Sequence, residues 1–426
     1  MSRTLLAAFV SLLLCSGHLE AEQMRFDRFQ VFRLLPDNDT QVAMLQVLEE
    51  SPTALDFWSS ASSAHAQVDV MVPPDMVQRF RALTDAFGVR SELRIQDVQK
   101  LIDSERPEVE SSSFGWDDYH NITMLHSWLD ELVEKHPGVL ETQLAGLSYE
   151  GRQIKGVKLS YQEENPGVFI EAGIHAREWI APATATWILN QLLSSQDENV
   201  RFVAENFDWY IFPSVNPDGY QYSHTTNRRW RKTRSRTWHR RCVGVDPNRN
   251  WDFHWVDGGA SRHPCSETYA GSKAFSEAET QSLARYIGGV APRLQLYLAL
   301  HSYGQKFLIP YGHTRKHIAD HDKLATIAKK AAKSLSKRYG TIYKVGNIVE
   351  TYGLASGGSV DWVRGTIGTP LVYAVELRDT GHHGFILPAT EIVPTAQETL
   401  DAITAMLRDS RDMLLQAYNS SREQGQ

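Results

Sequence analysis

Three residues set the chemistry of this chain. His175 and Glu178 lie three positions apart in the run Gly173-Ile174-His175-Ala176-Arg177-Glu178-Trp179, and His301 follows far downstream in Leu300-His301-Ser302-Tyr303. Two imidazoles and one carboxylate suit an open catalytic zinc site, with the fourth position left for water. On a helix, i and i+3 side chains share a face, but the stretch before His175, Val168 to Ile174, reads as a buried strand. Its exit through Gly173 predicts a loop at a sheet's edge that presents His175 and Glu178. A bare His-x-x-Glu is equally what a surface His beside an unrelated Glu looks like, so the pair needs support from elsewhere.

That support comes from further runs: Asn227-Arg228-Arg229-Trp230-Arg231-Lys232-Thr233-Arg234, Asp246-Pro247-Asn248-Arg249-Asn250-Trp251 and Ala374-Val375-Glu376-Leu377-Arg378-Asp379-Thr380-Gly381. Two more are Pro213-Ser214-Val215-Asn216-Pro217-Asp218-Gly219-Tyr220 and Pro264-Cys265-Ser266-Glu267-Thr268-Tyr269. Together they resemble the pancreatic-type zinc metallocarboxypeptidases of A-like type, in order, at close to family spacing and over nearly the whole chain. The resemblance implies a zymogen of a zinc exopeptidase that hydrolyses the C-terminal peptide bond of proteins and peptides. It assigns one Zn²⁺ to His175, Glu178 and His301, with Asp246 accepting from the second ring nitrogen of His175. It makes Glu376 the general base that takes a proton from the zinc-bound water and passes it to the leaving amine. Read from the residues alone, Glu376 ends an apolar strand, where a carboxylate needs work or a partner; an ion pair with Arg378 is the other reading.

The same resemblance gives Arg231 the developing charge on the carbonyl oxygen, a role whose removal costs on the order of 3 kcal/mol of barrier. Arg249, with the amide of Asn248, matches a clamp for the substrate's terminal carboxylate, which the planar guanidinium fork holds well. Arg177 and Tyr303 fall on outer substrate positions. Specificity maps to Ser356-Gly357-Gly358-Ser359-Val360-Asp361-Trp362, with Val360 at the pocket floor. Leu308, Gly312, Ile348, Ala355 and Ala374 fall on other pocket positions and are uncharged, so hydrophobic or aromatic C-terminal residues are expected and a Lys ammonium would lack a partner. A broad or basic preference is the alternative. The family's mobile Tyr, three positions before the Ser of Ser-Gly-Gly, is Gly353 here; the expectation is a register shift in which Tyr352 serves.

These residues need a scaffold. Arg25 to Leu34 and Gln67 to Val72 read as strands, and Val42 to Glu50 and Met76 to Ala86 as amphipathic helices. A small α+β unit of an antiparallel sheet plus two helices is expected over residues 22–106, the position of the family's inhibitory pro-domain. Ser104 to Phe114 is polar and contains Pro107, and reads as an exposed linker (107–114 at its centre). Arg106-Pro107 is a poor trypsin site, so cleavage is expected at Lys100 or earlier, or by another activating protease.

From 115 to 426, strands at 156–160, 168–172, 207–213, 295–301 and 370–377 alternate with helices at 183–194, 276–288 and 322–339. Ser276-Glu277-Ala278-Glu279 reads as a capping box. The expected fold is α/β: a mixed, twisted, eight-stranded-type sheet with helices on both faces.

At the N-terminus, Arg3, an apolar run from Leu5 to Cys15 and a small-residue zone to Ala21 read as a signal peptide over 1–21, and no other stretch is long and apolar enough to span a bilayer. A secreted monomer is expected, without membrane or nucleic-acid partners, in keeping with a net charge of −7. With Cys15 removed, Cys242 and Cys265 remain; they most simply form a disulfide worth roughly 3 kcal/mol, as the family's equivalents do, and two free thiols are the alternative. Asn38, Asn121 and Asn419 sit in glycosylation sequons. The stretch Arg228 to Arg241 holds eight Arg or Lys in 14 positions. Alone it suggests a heparin- or matrix-binding surface, against the plainer reading of a solvated loop with one functional Arg.

Overall fold

The structure, a computed structural model, describes residues 23–51, 54–105, 113–162 and 164–424. The signal segment, residues 106–112 of the linker and the side chain of Asn419 lie outside the described set.

The N-terminal unit runs β1 (Gln30–Leu35), α1 (Asp39–Glu50), β2 (Asp56–Phe57), β3 (Val68–Val72), α2 (Val77–Ala86), β4 (Arg90–Ile95) and α3 (Val98–Glu105). Its four strands form an antiparallel sheet in the order β2-β3-β1-β4. Strand alternation explains its two faces. Phe32, Leu34, Val68, Val70 and Val72 pack with Val42 and Leu45 of α1 and Phe80 of α2. Val31 and Met71 point the other way and join Trp58, Ile95 and Val98 against Phe385 and Ile386 of the larger unit.

Two expectations need correction here. The first strand begins at Gln30, because Arg28, at φ 60°, turns the chain just before it. A third helix, α3, runs through Ser104 and Glu105, which the sequence reading had assigned to the linker. The polar composition of that segment hid the reason: Glu105 is buried because it pairs with an arginine of the larger unit.

The larger unit continues with α4 (Ile122–Lys135), β5 (Leu140–Leu147), β6 (Gln153–Leu159), β7 (Gly167–Ala172), α5 (Ile180–Ser194), α6 (Glu198–Asn206), β8 (Asp208–Phe212), α7 (Pro217–Thr225) and α8 (Ala278–Val290). It ends with β9 (Leu294–His301), β10 (Lys306–Ile309), α9 (His321–Tyr339), β11 (Lys344–Asn347), α10 (Ile348–Tyr352), α11 (Ser359–Trp362), β12 (Leu371–Glu376) and α12 (Ile392–Gln424). The eight strands form one mixed sheet in the order β11-β10-β12-β9-β7-β8-β6-β5.

Alternation again decides which residues meet. Leu296, Leu298 and Leu300 of β9, Tyr373 and Val375 of β12, and Phe307 and Ile309 of β10 enter the core under α4, α5, α9 and α12. Tyr297 and Ala299, Val372 and Ala374, and Leu308 enter the opposite core, with α8 and α11. Period two therefore places His301, Glu376 and Lys306 on that second face, side by side: His301 pairs with Glu376 across β9–β12, and Glu376 pairs with Lys306 across β12–β10.

The predicted capping box before α8 does not form. Glu277 is the N-cap residue without a side-chain cap bond. Ser276 Oγ instead donates to Glu277 Oε1 and accepts from Asn250 Nδ2, while Glu279 Oε1 accepts the Tyr149 N–H. Tertiary partners compete successfully for the side chains a box needs. Asn38 and Asn121, by contrast, cap α1 and α4 through their side-chain oxygens.

Candidate metal centre and substrate cleft

Strand β7 ends at Ala172, and Gly173 turns the chain at φ 65°, a conformation glycine adopts without strain. The loop that follows carries His175 and Glu178, both buried, into α5. His175 Nδ1 lies 2.8 Å from Glu178 Oε1, His301 Nδ1 lies 3.0 Å from Glu178 Oε2, and the two Nδ1 atoms are 3.2 Å apart. An edge of about 3.3 Å follows for a tetrahedral ion with metal–nitrogen bonds near 2.05 Å, so the donor set fits Zn²⁺. Two ring nitrogens turned toward one another and toward one carboxylate make a site for a cation. His175 Nε2 lies 3.2 Å from Asp246 Oδ1. His301 Nε2 faces Asn248 Nδ2 at 3.4 Å.

Asp246 is fully buried. Burial opposes its ionisation, yet Arg231 and His175 hold it well below the usual carboxylate range. Arg231 Nη2 donates to Asp246 Oδ2 at 2.8 Å, and its Nη1 stands 3.9 Å from Glu178 Oε1. Arg249 donates from Nε to Gly259 O and from Nη1 to Asn248 O. Asn248 Oδ1 accepts the Ser359 N–H, linking Asn248 to α11 and so to Val360.

Glu376 lines the same cleft. Burial pushes its carboxyl up to about 7; the Glu178 charge adds to the rise, and His301, Lys306 and Arg231 oppose it. Arg378 is not its partner, because Arg378 forms ion pairs with Glu391 and Glu398.

The cleft encloses about 1200 Å³. Leu308, Ile348, Val360 and Ala374 come from four different elements and form an apolar wall. Asp361, next in sequence to Val360, also reaches the cleft, but its carboxylate accepts from the Gly312 and His313 backbone N–H groups and faces His313 Nδ1 at 3.0 Å. Tyr352 ends α10 inside the cleft, its ring 3.9 Å below Lys306 Nζ and its hydroxyl donating to Tyr303 O at 3.4 Å. Gly353 stands at φ 81°, and a Cβ there would meet Ser62 of the N-terminal unit at 2.7 Å. A side chain at 353 would therefore be strained.

The N-terminal unit closes the mouth with charged groups that the sequence reading did not single out. Asp56 Oδ2 accepts from Arg229 at 2.6 Å, and Asp56 Oδ1 lies 3.5 Å from Arg177. Asp69 binds Arg33 through two bonds and accepts the Tyr303 hydroxyl at 2.7 Å. Glu105 binds Arg228 through bonds of 2.6 Å each. Trp58 packs on Phe385, whose ring also faces the Arg177 guanidinium at 4.1 Å. An acidic residue paired with a cation 120 positions away carries no local signal.

The basic stretch is mostly turned inward. Lys232 Nζ donates to Pro264 O and Ser266 O, and Arg234 lies between the Tyr222 and Trp230 rings at 3.6 and 4.4 Å. With Arg228, Arg229 and Arg231 engaged as above, Arg236, Arg240 and Arg241 are left exposed. Nearby, Cys242 and Cys265 form a disulfide.

Comparison with known proteins agrees with this geometry. Residues 125–402 match the zinc carboxypeptidase family, and residues 32–105 match the carboxypeptidase activation peptide. A zinc carboxypeptidase A 1 of Anopheles gambiae is 46% identical over 396 residues, covering 92% of this chain and 91% of that one. Carboxypeptidase A1 of Sus scrofa is 38% identical, covering 89% and 93%. Among solved structures, thrombin activatable fibrinolysis inhibitor superposes with a TM-score of 0.83 at 32% identity, over 90% of this chain and 99% of that one. A carboxypeptidase A from Helicoverpa armigera gives 0.82 at 27%, over 90% and 97%. The buried His-Glu-His triad, the cleft it opens onto and these likenesses agree: the chain belongs to the zinc carboxypeptidase family, as a zinc-dependent metallocarboxypeptidase made with an activation peptide.

Proposed function

We propose that this enzyme removes hydrophobic and aromatic residues from the C-termini of peptides and proteins, and that the N-terminal unit keeps it inactive until cleaved. The observation that carries the preference is the apolar wall of Leu308, Ile348, Val360 and Ala374, beside which the Asp361 carboxylate is already committed to backbone groups. A terminal Phe or Leu side chain buried there gains roughly 1.5–3 kcal/mol, whereas a Lys ammonium buried against these four apolar residues would meet no charged partner among them.

Bound at His175, Glu178 and His301, Zn²⁺ supplies Lewis acidity toward the scissile carbonyl and acidifies water. The chain's own groups do the rest. Arg249 and Asn248 hold the terminal carboxylate and so fix the register of the substrate. Glu376 Oε accepts the proton of the attacking water and delivers it to the amine nitrogen as the C–N bond breaks. Arg231 donates to the oxygen that becomes negative. Asp246 keeps His175 in one tautomer and orientation. Tyr352 covers the substrate's end from α10, and Arg177 and Tyr303 receive residues farther from the terminus. In the zymogen Asp56, Asp69 and Trp58 stand at those outer positions. Release of the enzyme to the cell exterior follows from the signal segment, and no helix among the described residues is long and apolar enough to cross a membrane.

The test is hydrolysis of peptides ending in Phe, Leu or Lys by the cleaved enzyme, with and without a zinc chelator. Chelator-sensitive release of Phe and Leu but not Lys is expected. Release of Lys would refute the pocket reading and leave the mechanism standing. No release from any peptide, with zinc bound and heparin retained at physiological salt, would replace catalysis by a binding role for the exposed arginines.

A further inference from the structure

Lys306 stands out as a cation inside the cleft that none of the roles above uses. It opens β10, whose remaining residues Phe307, Leu308 and Ile309 are buried and apolar. Its side chain lies on the same sheet face as His301 and Glu376, in the row His301–Glu376–Lys306 across three adjacent strands. The ammonium sits over the Tyr352 ring at 3.9 Å. Among the described residues no carboxylate lies within 4.0 Å of Nζ, and Nζ makes no hydrogen bond. A half-buried ammonium with three unused donors is poised for a partner that arrives from outside.

The direction of arrival follows from the cleft. Along β10 and β12 the pocket-wall pair Leu308 and Ala374 is followed on the same face by the pair Lys306 and Glu376, so a substrate with its terminal side chain at Val360 and its scissile carbonyl at Glu376 would run its preceding residue past Lys306. That path leads between Lys306, Tyr303 and the mouth. The N-terminal unit fills this mouth, and the charged groups facing Lys306 are Glu376, Lys344, and Arg33 and Asp69 of that unit. Asp69 arrives already paired with Arg33 and bonded to Tyr303, and the Arg33 charge opposes it at Lys306, so the closed form leaves Lys306 without an acidic partner of its own from that unit. Once the unit leaves, Lys306 faces the substrate.

We propose that Lys306 is a specificity residue that favours substrates with an acidic side chain immediately N-terminal to the cleaved bond. The inference rests on the C-terminal side chain occupying the Val360 pocket. Its test is a ratio taken at a fixed terminal residue, so it holds whichever terminal residue the enzyme prefers. The cleaved enzyme, as wild type, Lys306→Met and Lys306→Arg, is given three blocked peptides that differ only in the penultimate residue: Glu, Ala or Lys.

In the wild type, kcat/KM for the Glu peptide should exceed that for the Lys peptide by roughly tenfold, and the ratio should shrink at high salt because the attraction is screened. Lys306→Met should bring the ratio to within about twofold of one, and Lys306→Arg should keep it. Zinc content and melting temperature of each variant establish that the comparison is between folded enzymes, and the Arg variant carries the test if the Met variant fails to fold. An unchanged Glu-to-Lys ratio in Lys306→Met, or a ratio near one in both wild type and Lys306→Arg, overturns the proposal. An equal loss on all three peptides, with a displaced acid limb of the pH profile, also overturns it and makes Lys306 a positioning residue for Glu376. If terminal Lys is released and Phe is not, the pocket reading fails, while the penultimate ratio measured on Lys-ending peptides still decides the role of Lys306.

Discussion

Replacing Glu105 with Ala should loosen the hold of the N-terminal unit on the enzyme. The Glu105 and Arg228 side chains are 1% and 2% exposed, and the carboxylate meets Nε and Nη2 at 2.6 Å each. Arg228 also donates to Arg177 O at 2.8 Å and Phe385 O at 2.7 Å, and its guanidinium lies 3.7 Å from the Trp179 ring centre. Removing one partner of a buried pair costs about 3–5 kcal/mol because the remaining charge is stranded. Here the two carbonyls and the indole still hold the guanidinium, so the lower end applies, about 3 kcal/mol. Once the segment departs, Arg228 meets water in wild type and variant alike, so the difference falls on the bound state. Each 1.4 kcal/mol is tenfold, which predicts roughly 100-fold weaker retention of the cleaved segment.

The assay is to cleave each zymogen at a protease site introduced within residues 107–114 and to follow both segment release and the rise of peptidase activity. Faster release in Glu105→Ala, with Glu105→Gln intermediate, is expected. Equal release times in all three would refute the reasoning and leave the hold to other contacts, Asp56, Asp69 and the Trp58–Phe385 packing among them.

Other expectations follow from particular residues. Glu376→Gln should retain zinc, measured by metal analysis, while peptidase activity falls by roughly 10²–10⁴; substantial activity would remove Glu376 from the proton-transfer role. Val360→Asp should shift the ranking of C-terminal residues toward Lys and Arg, and an unchanged ranking would place the pocket floor elsewhere. His126 on α4 is pushed down to about 4 by burial, with Lys155 nearby adding to the effect. Its unfolded value near 6.5 is the higher of the two, so the unfolded chain binds the extra proton first. Stability is then fully present above pH 6.5 and is lost as pH falls toward 4, by about 3 kcal/mol in total. His126→Leu should flatten that part of the stability-versus-pH curve, measured by chemical denaturation, and an identical curve would show that His126 titrates normally.

Local pattern was sufficient for much of this protein. The run of apolar residues into Gly173 predicted a strand and a turn that present His175 and Glu178, because a buried strand must stop where its backbone needs a positive φ. Alternation along β9 and β12 fixed which way His301 and Glu376 point, since side chains on a strand change face at every step. The types of the triad named the metal, because ligand chemistry belongs to the residue and not to the fold. Other features were set only by long-range contact. Glu105 read as a linker residue, and its burial depends on an arginine more than a hundred positions away. The Ser276 and Glu279 side chains looked like a cap and were taken by Asn250 and Tyr149. Lys306 stands in no motif of the sequence; only the pairing of β10 against β12 sets it beside Glu376, inside the cleft. Local sequence determines which conformations a segment prefers, but a charge finds its partner through the whole topology, and that partnership decides whether burial is tolerated.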